Sequence, residues 1–191
     1  MKMLRNFTIR FVMLTILGIF CVMWAGVGLY STWSLSRVSD GNDVDRQLVR
    51  QMTVLSQGND QYFRFVTRLS RAMEVKAAGG TPDLAPAQQA LDNMSKKLAE
   101  MKAISPGPMD EKVSAQVIST WQALLDRGVT PQMAQAKQAT LEGYRQHANN
   151  VTPPLSRAFG AAAENFNNTA AKALDSTRVV VDGLTSMTRT V

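Results

Sequence analysis

The sequence predicts an all-α protein in which a transmembrane helix continues into an antiparallel up-down-up-down four-helix bundle. Three observations carry that expectation. Residues Phe11–Ser36 contain no charged side chain or histidine. Outside that run the apolar residues recur at helical spacing. Proline and glycine clusters divide the remainder into a few long segments joined by short connections.

The apolar run comes first in the chain. At a rise of about 1.5 Å per residue it would extend about 39 Å, more than the ~30 Å of a bilayer's hydrocarbon core. Ala25-Gly26 could be read as a cleavage site, but the run continues beyond it, with Trp24, Tyr30 and Trp33 toward its outer end. A membrane anchor is therefore expected in preference to a cleaved signal peptide. Lys2, Arg5 and Arg10 precede the run and acidic residues begin only at Asp40. The positive-inside rule then puts residues 1–10 in the cytoplasm, a span at 11–34 and residues 35–191 outside, in the periplasm of a bacterial inner membrane.

Charge is read by compartment. Removing the three basic residues of the tip from the 21 Lys+Arg leaves 18 against 15 acidic residues, or +3. With no clustered aromatic stacking residues beside it, so mild a balance excludes nucleic acid as the expected partner. The only cysteine, Cys21, lies inside the apolar run. The outer part must therefore be held by packing rather than disulfides.

The first helix is expected to run from near Phe7 to Lys76, since no proline occurs before Pro82. Leu48, Met52, Leu55, Asn59, Tyr62, Val66, Leu69 and Met73 alternate steps of four and three, a heptad seam with Asn59 either fixing register or facing solvent. Ala77–Asp83 ends this helix on glycines, and a second runs from about Leu84 to Ile104. Ser105-Pro-Gly-Pro108 makes a tight connection, and Asp110 and Glu111 open a third helix where its dipole favours acids. Arg127–Pro131 should break or kink it. Residues 128–151 read either as a kinked continuation or as an extra surface helix. Thr152 before Pro153 is expected to cap a final helix reaching about Thr190.

The chain resembles the input half of methyl-accepting chemotaxis receptors, the aspartate and serine receptor family. The resemblance rests on Leu17–Phe20, Arg68-Leu-Ser-Arg71, Asp110-Glu-Lys112 and Thr152–Gly160 through Phe166, and it covers essentially the whole sequence. It implies a homodimer that senses a small anionic solute or amino acid, or a periplasmic binding protein. It also implies a longer receptor, continuing into a second span, a HAMP linker and a cytoplasmic hairpin. The same bundle also serves histidine kinases and cyclic-dinucleotide enzymes as an input domain, and a structural membrane-tethered coiled coil is a further alternative.

The candidate ligand-binding residues are Arg71, Thr152, Arg68, Arg64 and Ser70. Arg64, Arg68 and Arg71 fall within about 60° of one another on the first helix and roughly 160° from its core seam, so they face solvent or a second subunit. Thr152, as a cap, would place its hydroxyl beside free N–H groups suited to a carboxylate. Amino-acid-binding members of the family use three arginines on the first helix and a threonine on the last. Arg71 matches the middle arginine and Thr152 the threonine, whereas Val66 and Val75 occupy the outer two positions. That pattern argues against aspartate or serine bound in the family's manner, with Arg68 replacing one lost contact.

No catalytic set, cofactor or metal site is expected, because no nucleophile–base pair, phosphate loop or ligand cluster is visible. His147 reads as a surface residue, and Met52, Met73, Met94 and Met101 as bundle packing.

Overall fold

The computed structural model describes the backbone of residues 42–188 and the side chains of residues 42–176. The expected span at 11–34 and the cytoplasmic tip lie outside them. Among the described residues no helix is long and apolar enough to cross a membrane.

All regular structure in the described residues is helical. Helix α1 covers 42–77, followed by α2 (Ala85–Ile104), α3 (Glu111–Ala123), α4 (Thr130–Ala136), α5 (Glu142–Gln146) and α6 (Thr152–Thr188). Leu124–Val129 joins α3 to α4 and His147–Val151 joins α5 to α6, each as a π-helical turn. Four long columns result: α1, α2, α3 with its continuation through α4, and α6 with the short helix before it.

Hydrogen bonds at both ends fix the antiparallel order. At one pole Gln51 Nε2 on α1 donates to the carbonyls of Ile104 (3.0 Å) and Pro106 (2.9 Å), which pins the α2–α3 connection. At the other, distal pole Arg68 Nη1 donates to the carbonyl of Pro86 at 3.0 Å, which fixes the start of α2. There too Lys76 Nζ donates to the carbonyls of Ala136 and Gln138, at the C-terminal end of α4 where the helix dipole favours a cation.

The helix ends follow local chemistry. Gly79 has φ +81°, and the bonds Gly80 N–H to Val75 O (2.9 Å) and Gly79 N–H to Lys76 O (3.1 Å) close α1 in a Schellman motif. Asp110 caps α3, its Oδ1 accepting from the N–H groups of Lys112 (2.9 Å) and Val113 (3.1 Å).

The core is one continuous cluster. Leu48, Leu55, Tyr62, Leu69 and Met73 of the expected seam are buried, and Met52 and Val66 pack against them half-buried. A second track on α1, comprising Gln51, Val54, Gly58, Phe65 and Ala72, is buried as well. A helix inside a bundle has neighbours on two sides, so it buries a band wider than one seam. Trp121 on α3 is fully buried, with its ring centroid 5.3 Å from that of Phe159 on α6. Gly58 is the α1 position that lets this indole approach, since a Cβ there would lie 2.0 Å from Trp121 Cη2.

At Arg127–Pro131, where a break or kink is expected, the helix does not break. The helix instead widens by one residue, and Pro131 enters α4 in its first turn. Proline lacks the N–H that would bond the carbonyl of residue 127 and its ring crowds that carbonyl, so a π turn accommodates it. The same device recurs before Pro153-Pro154. Residues 128–151 are thus both a kinked continuation, through α4, and an added short helix, α5.

Candidate ligand-binding site

Both π turns lie at the distal pole, and His147 holds one to the other. Its Nε2 sits 3.1 Å from the carbonyl of Arg127 and 2.9 Å from that of Gly128. Both neighbours are acceptors, so Nε2 carries the hydrogen. The carbonyl of residue 127 is the one that Pro131 leaves without a helical donor, and the imidazole supplies the replacement. The residue expected on the surface is therefore half-buried and structural.

Thr152 differs from expectation in a similar way. Its backbone is helical and its N–H donates to the carbonyl of His147, so the column from α5 passes through it without a fresh start. Its hydroxyl caps nothing. Thr152 is 3 % exposed, and its Oγ1 donates to Gln132 Oε1 at 2.7 Å in a buried bond between α6 and α4.

The arginine stripe of α1 is not a uniform set of free cations. Arg64 Nε pairs with Asp60 Oδ2 at 2.7 Å, both side chains about half exposed, and contributes little to stability in that setting. Arg68 is committed to the Pro86 carbonyl. Arg71 is exposed and has no hydrogen bond or ion pair among the described residues.

A groove of about 450 Å³ opens at this pole between α1, the α5–α6 column and α4. Tyr62, Val66 and Ser70 form its α1 wall, and Thr152 and Gln132 contribute to its floor. Ser70 and Thr152, far apart in sequence, thus meet in one concavity. Arg64, Arg68 and Arg71 do not line it: on α1 they centre about 170° from Val66. The cations that do line it, Arg145 and Arg157, were not among the sequence candidates.

A second groove, of about 350 Å³, lies between α2 and α3 and carries Asp92, Asp126 and Lys102. Its polar groups already satisfy one another. Gln88 donates to Asp92, Lys102 to Gln122, and Gln122 to both oxygens of Asp126. Little is left there for a ligand to gain. Among the described residues no group of His, Cys, Asp and Glu could hold a metal ion.

A four-column bundle with a polar concavity at one pole, and no assembled catalytic set among the described residues, has the form of a helical ligand-binding module. Residues 3–174 match the family model described as the Tar ligand binding domain homologue. A solved structure, the N-terminal ligand-binding domain of a protein described as a methyl-accepting chemotaxis protein from Salmonella enterica, is 66% identical with a TM-score of 0.69. The match covers 70% of this chain and 98% of that one. No curated protein matches. The chain belongs to the family of Tar ligand-binding-domain homologues, and it is the sensory input half of a chemoreceptor, a sensor of small molecules rather than an enzyme.

Proposed function

We propose that the protein is a homodimeric inner-membrane receptor subunit, rooted by residues 11–34 with its N-terminus in the cytoplasm. Its bundle, residues 35–191, senses a small anionic solute or amino acid in the periplasm. The observation that carries this reading is the distal groove, where Ser70 and Thr152 converge on the column that becomes α6. α6 is a single helix of 37 residues and can transmit a small displacement along its length.

The dimer reading is supported by a stripe on α1 that carries two exposed large apolar side chains. Val49, Ser56, Phe63 and Ser70 are spaced by seven, which keeps them on one side of the helix. Val49 is 51% and Phe63 58% exposed, large values for apolar side chains on a regular face. Arg71 lies about 60° around the helix from Ser56 and about 80° from Phe63, near enough to this stripe to reach the groove of a second subunit.

Two measurements test the reading. Disulfide cross-linking of Val49→Cys, Ser56→Cys and Phe63→Cys in membranes should give dimers, whereas Gln116→Cys on α3 should not. Fusing the chain to the signalling half of a characterised chemoreceptor should give a motility response to organic acids or amino acids that Arg71→Ala weakens. A monomer at every concentration would remove the shared pocket, and an unchanged response in Arg71→Ala would remove Arg71 from the site.

A further inference from the structure

At the pole opposite the distal groove, three polar side chains are sealed from solvent with bonding capacity to spare. Gln51 is 1% exposed and Ser114 2% exposed. Gln51 Oε1, Ser105 Oγ and Ser114 Oγ are all buried, and none has a hydrogen-bond partner among the described residues. The Gln51 amide has one orientation only, since Nε2 gives its two hydrogens to the carbonyls of Ile104 and Pro106 and Oε1 must then face away from them. Unpaired polar groups in a packed interior are costly, and nearly all of them find a partner in protein or in ordered water.

The three oxygens share one neighbourhood. Helices α1 and α3 run in the same direction, and Gly58 of α1 meets Trp121 of α3. Seven residues earlier on both helices, two turns down on the same faces, stand Gln51 and Ser114. Ser105 lies between the two residues whose carbonyls the Gln51 amide binds. At the level of Gly58 a whole indole spans the space between the helices. At the level of Gln51 the facing residue is a serine, which is far shorter, and no hydrogen bond joins the two. The Ser114 hydroxyl does not turn back on its own helix either, where the carbonyl of Asp110 already accepts from the Ser114 N–H at 3.0 Å. The adjoining Pro106 and Gly107 are exposed, so solvent has a short way in. All three oxygens are uncharged, and an ion would find nothing there to offset its desolvation.

We propose that Gln51, Ser105 and Ser114 hold one internal water molecule, which ties α1, the α2–α3 connection and α3 to one another. The water donates to Gln51 Oε1 and to one serine hydroxyl and accepts from the other, the three bonds usual for a buried water. The two serines are thereby coupled through a molecule that both bind, without touching each other.

The relative solved as an isolated N-terminal domain matches 70% of this chain, so that portion folds without the rest. A crystal structure of residues 42–188, at a resolution that shows ordered water, should place one water about 2.7–3.2 Å from each of the three oxygens. Ser105→Ala and Ser114→Ala should each lower the melting temperature by about 2–6 °C. The double variant should fall by clearly less than the sum, because a water that has lost one partner has less to lose with the second. A direct bond between Ser114 Oγ and Gln51 Oε1, no water within reach of both, or single shifts that add in full would each overturn the proposal.

Discussion

Gly58→Ala is the sharpest test of how the bundle is held together, because two effects of opposite sign meet at one atom. Replacing glycine with alanine inside a helix normally stabilises it by about 1 kcal/mol. Here the new Cβ would lie 2.0 Å from Trp121 Cη2 and 2.1 Å from Cζ2, where ordinary contact needs about 3.5–4.0 Å. The indole cannot swing aside as a flexible chain would, since it is fully buried and packed against Phe159. The helices must separate or the ring must leave its rotamer, and overpacking of this kind costs about 1–3 kcal/mol or more. The overlap is deep enough to place the cost at the upper end, so a net loss of about 2 kcal/mol is expected, lowering the melting temperature by about 4–8 °C. Urea unfolding followed by circular dichroism measures it. Adding Trp121→Phe should recover part of the loss, because the smaller ring relieves the overlap and removes an indole N–H that has no partner among the described residues. A Gly58→Ala variant as stable as the parent, or more so, would refute the close approach of α1 to Trp121.

Three further outcomes follow from individual contacts. His147→Ala should destabilise the fold by about 1–3 kcal/mol in denaturant titration, since it leaves the carbonyls of Arg127 and Gly128 without their imidazole donor. Thr152→Val should cost about 1–3 kcal/mol by stranding the buried Gln132 Oε1, whereas Ser70→Ala, half-buried and in no hydrogen bond among the described residues, should leave the unfolding midpoint within about 0.5 kcal/mol. The hydrogen bond from Lys97 holds the Glu100 carboxyl below its ordinary range, outweighing a small opposing effect of burial, with Arg50 adding to the lowering. A carboxyl depressed on folding stabilises above its unfolded pKa and loses that contribution as pH falls through the folded value. Lys97→Gln should therefore cost at most about 0.5 kcal/mol at neutral pH and nothing at pH 2, as expected of a partly exposed pair.

Much of the architecture was legible because its signals are local. The glycines after α1, the acids opening α3 and the Ser105–Pro108 connection each act through neighbouring backbone groups, and the structure places helix ends at or near them. The α1 seam was legible as well, though Phe65 and Gly58 were not, because the width of the buried band depends on how many columns surround α1. The distal pole was hidden for a different reason. Whether Pro131 breaks a helix or widens it depends on a donor from His147, which is close only once the chain has folded back. Thr152 resembles a cap in sequence, and only the π turn before it shows that the helix is already under way. The same inserted residue brings Arg145 and Arg157 into register, so a straight count at 100° per residue places them on different faces. The arginine stripe of α1 was correctly placed on the outside of its own bundle, but outward placement did not reveal that Arg64 and Arg68 already have partners.

The central claim is that the distal groove is where this input domain meets its solute. Hydrogen exchange of the full chain in nanodiscs, with and without each organic acid or amino acid that binds it, tests that most directly. The account predicts added protection in 62–70 and 144–157. Protection confined to 88–102 and 122–130, with the distal segments unchanged, would place the ligand between α2 and α3 and contradict it.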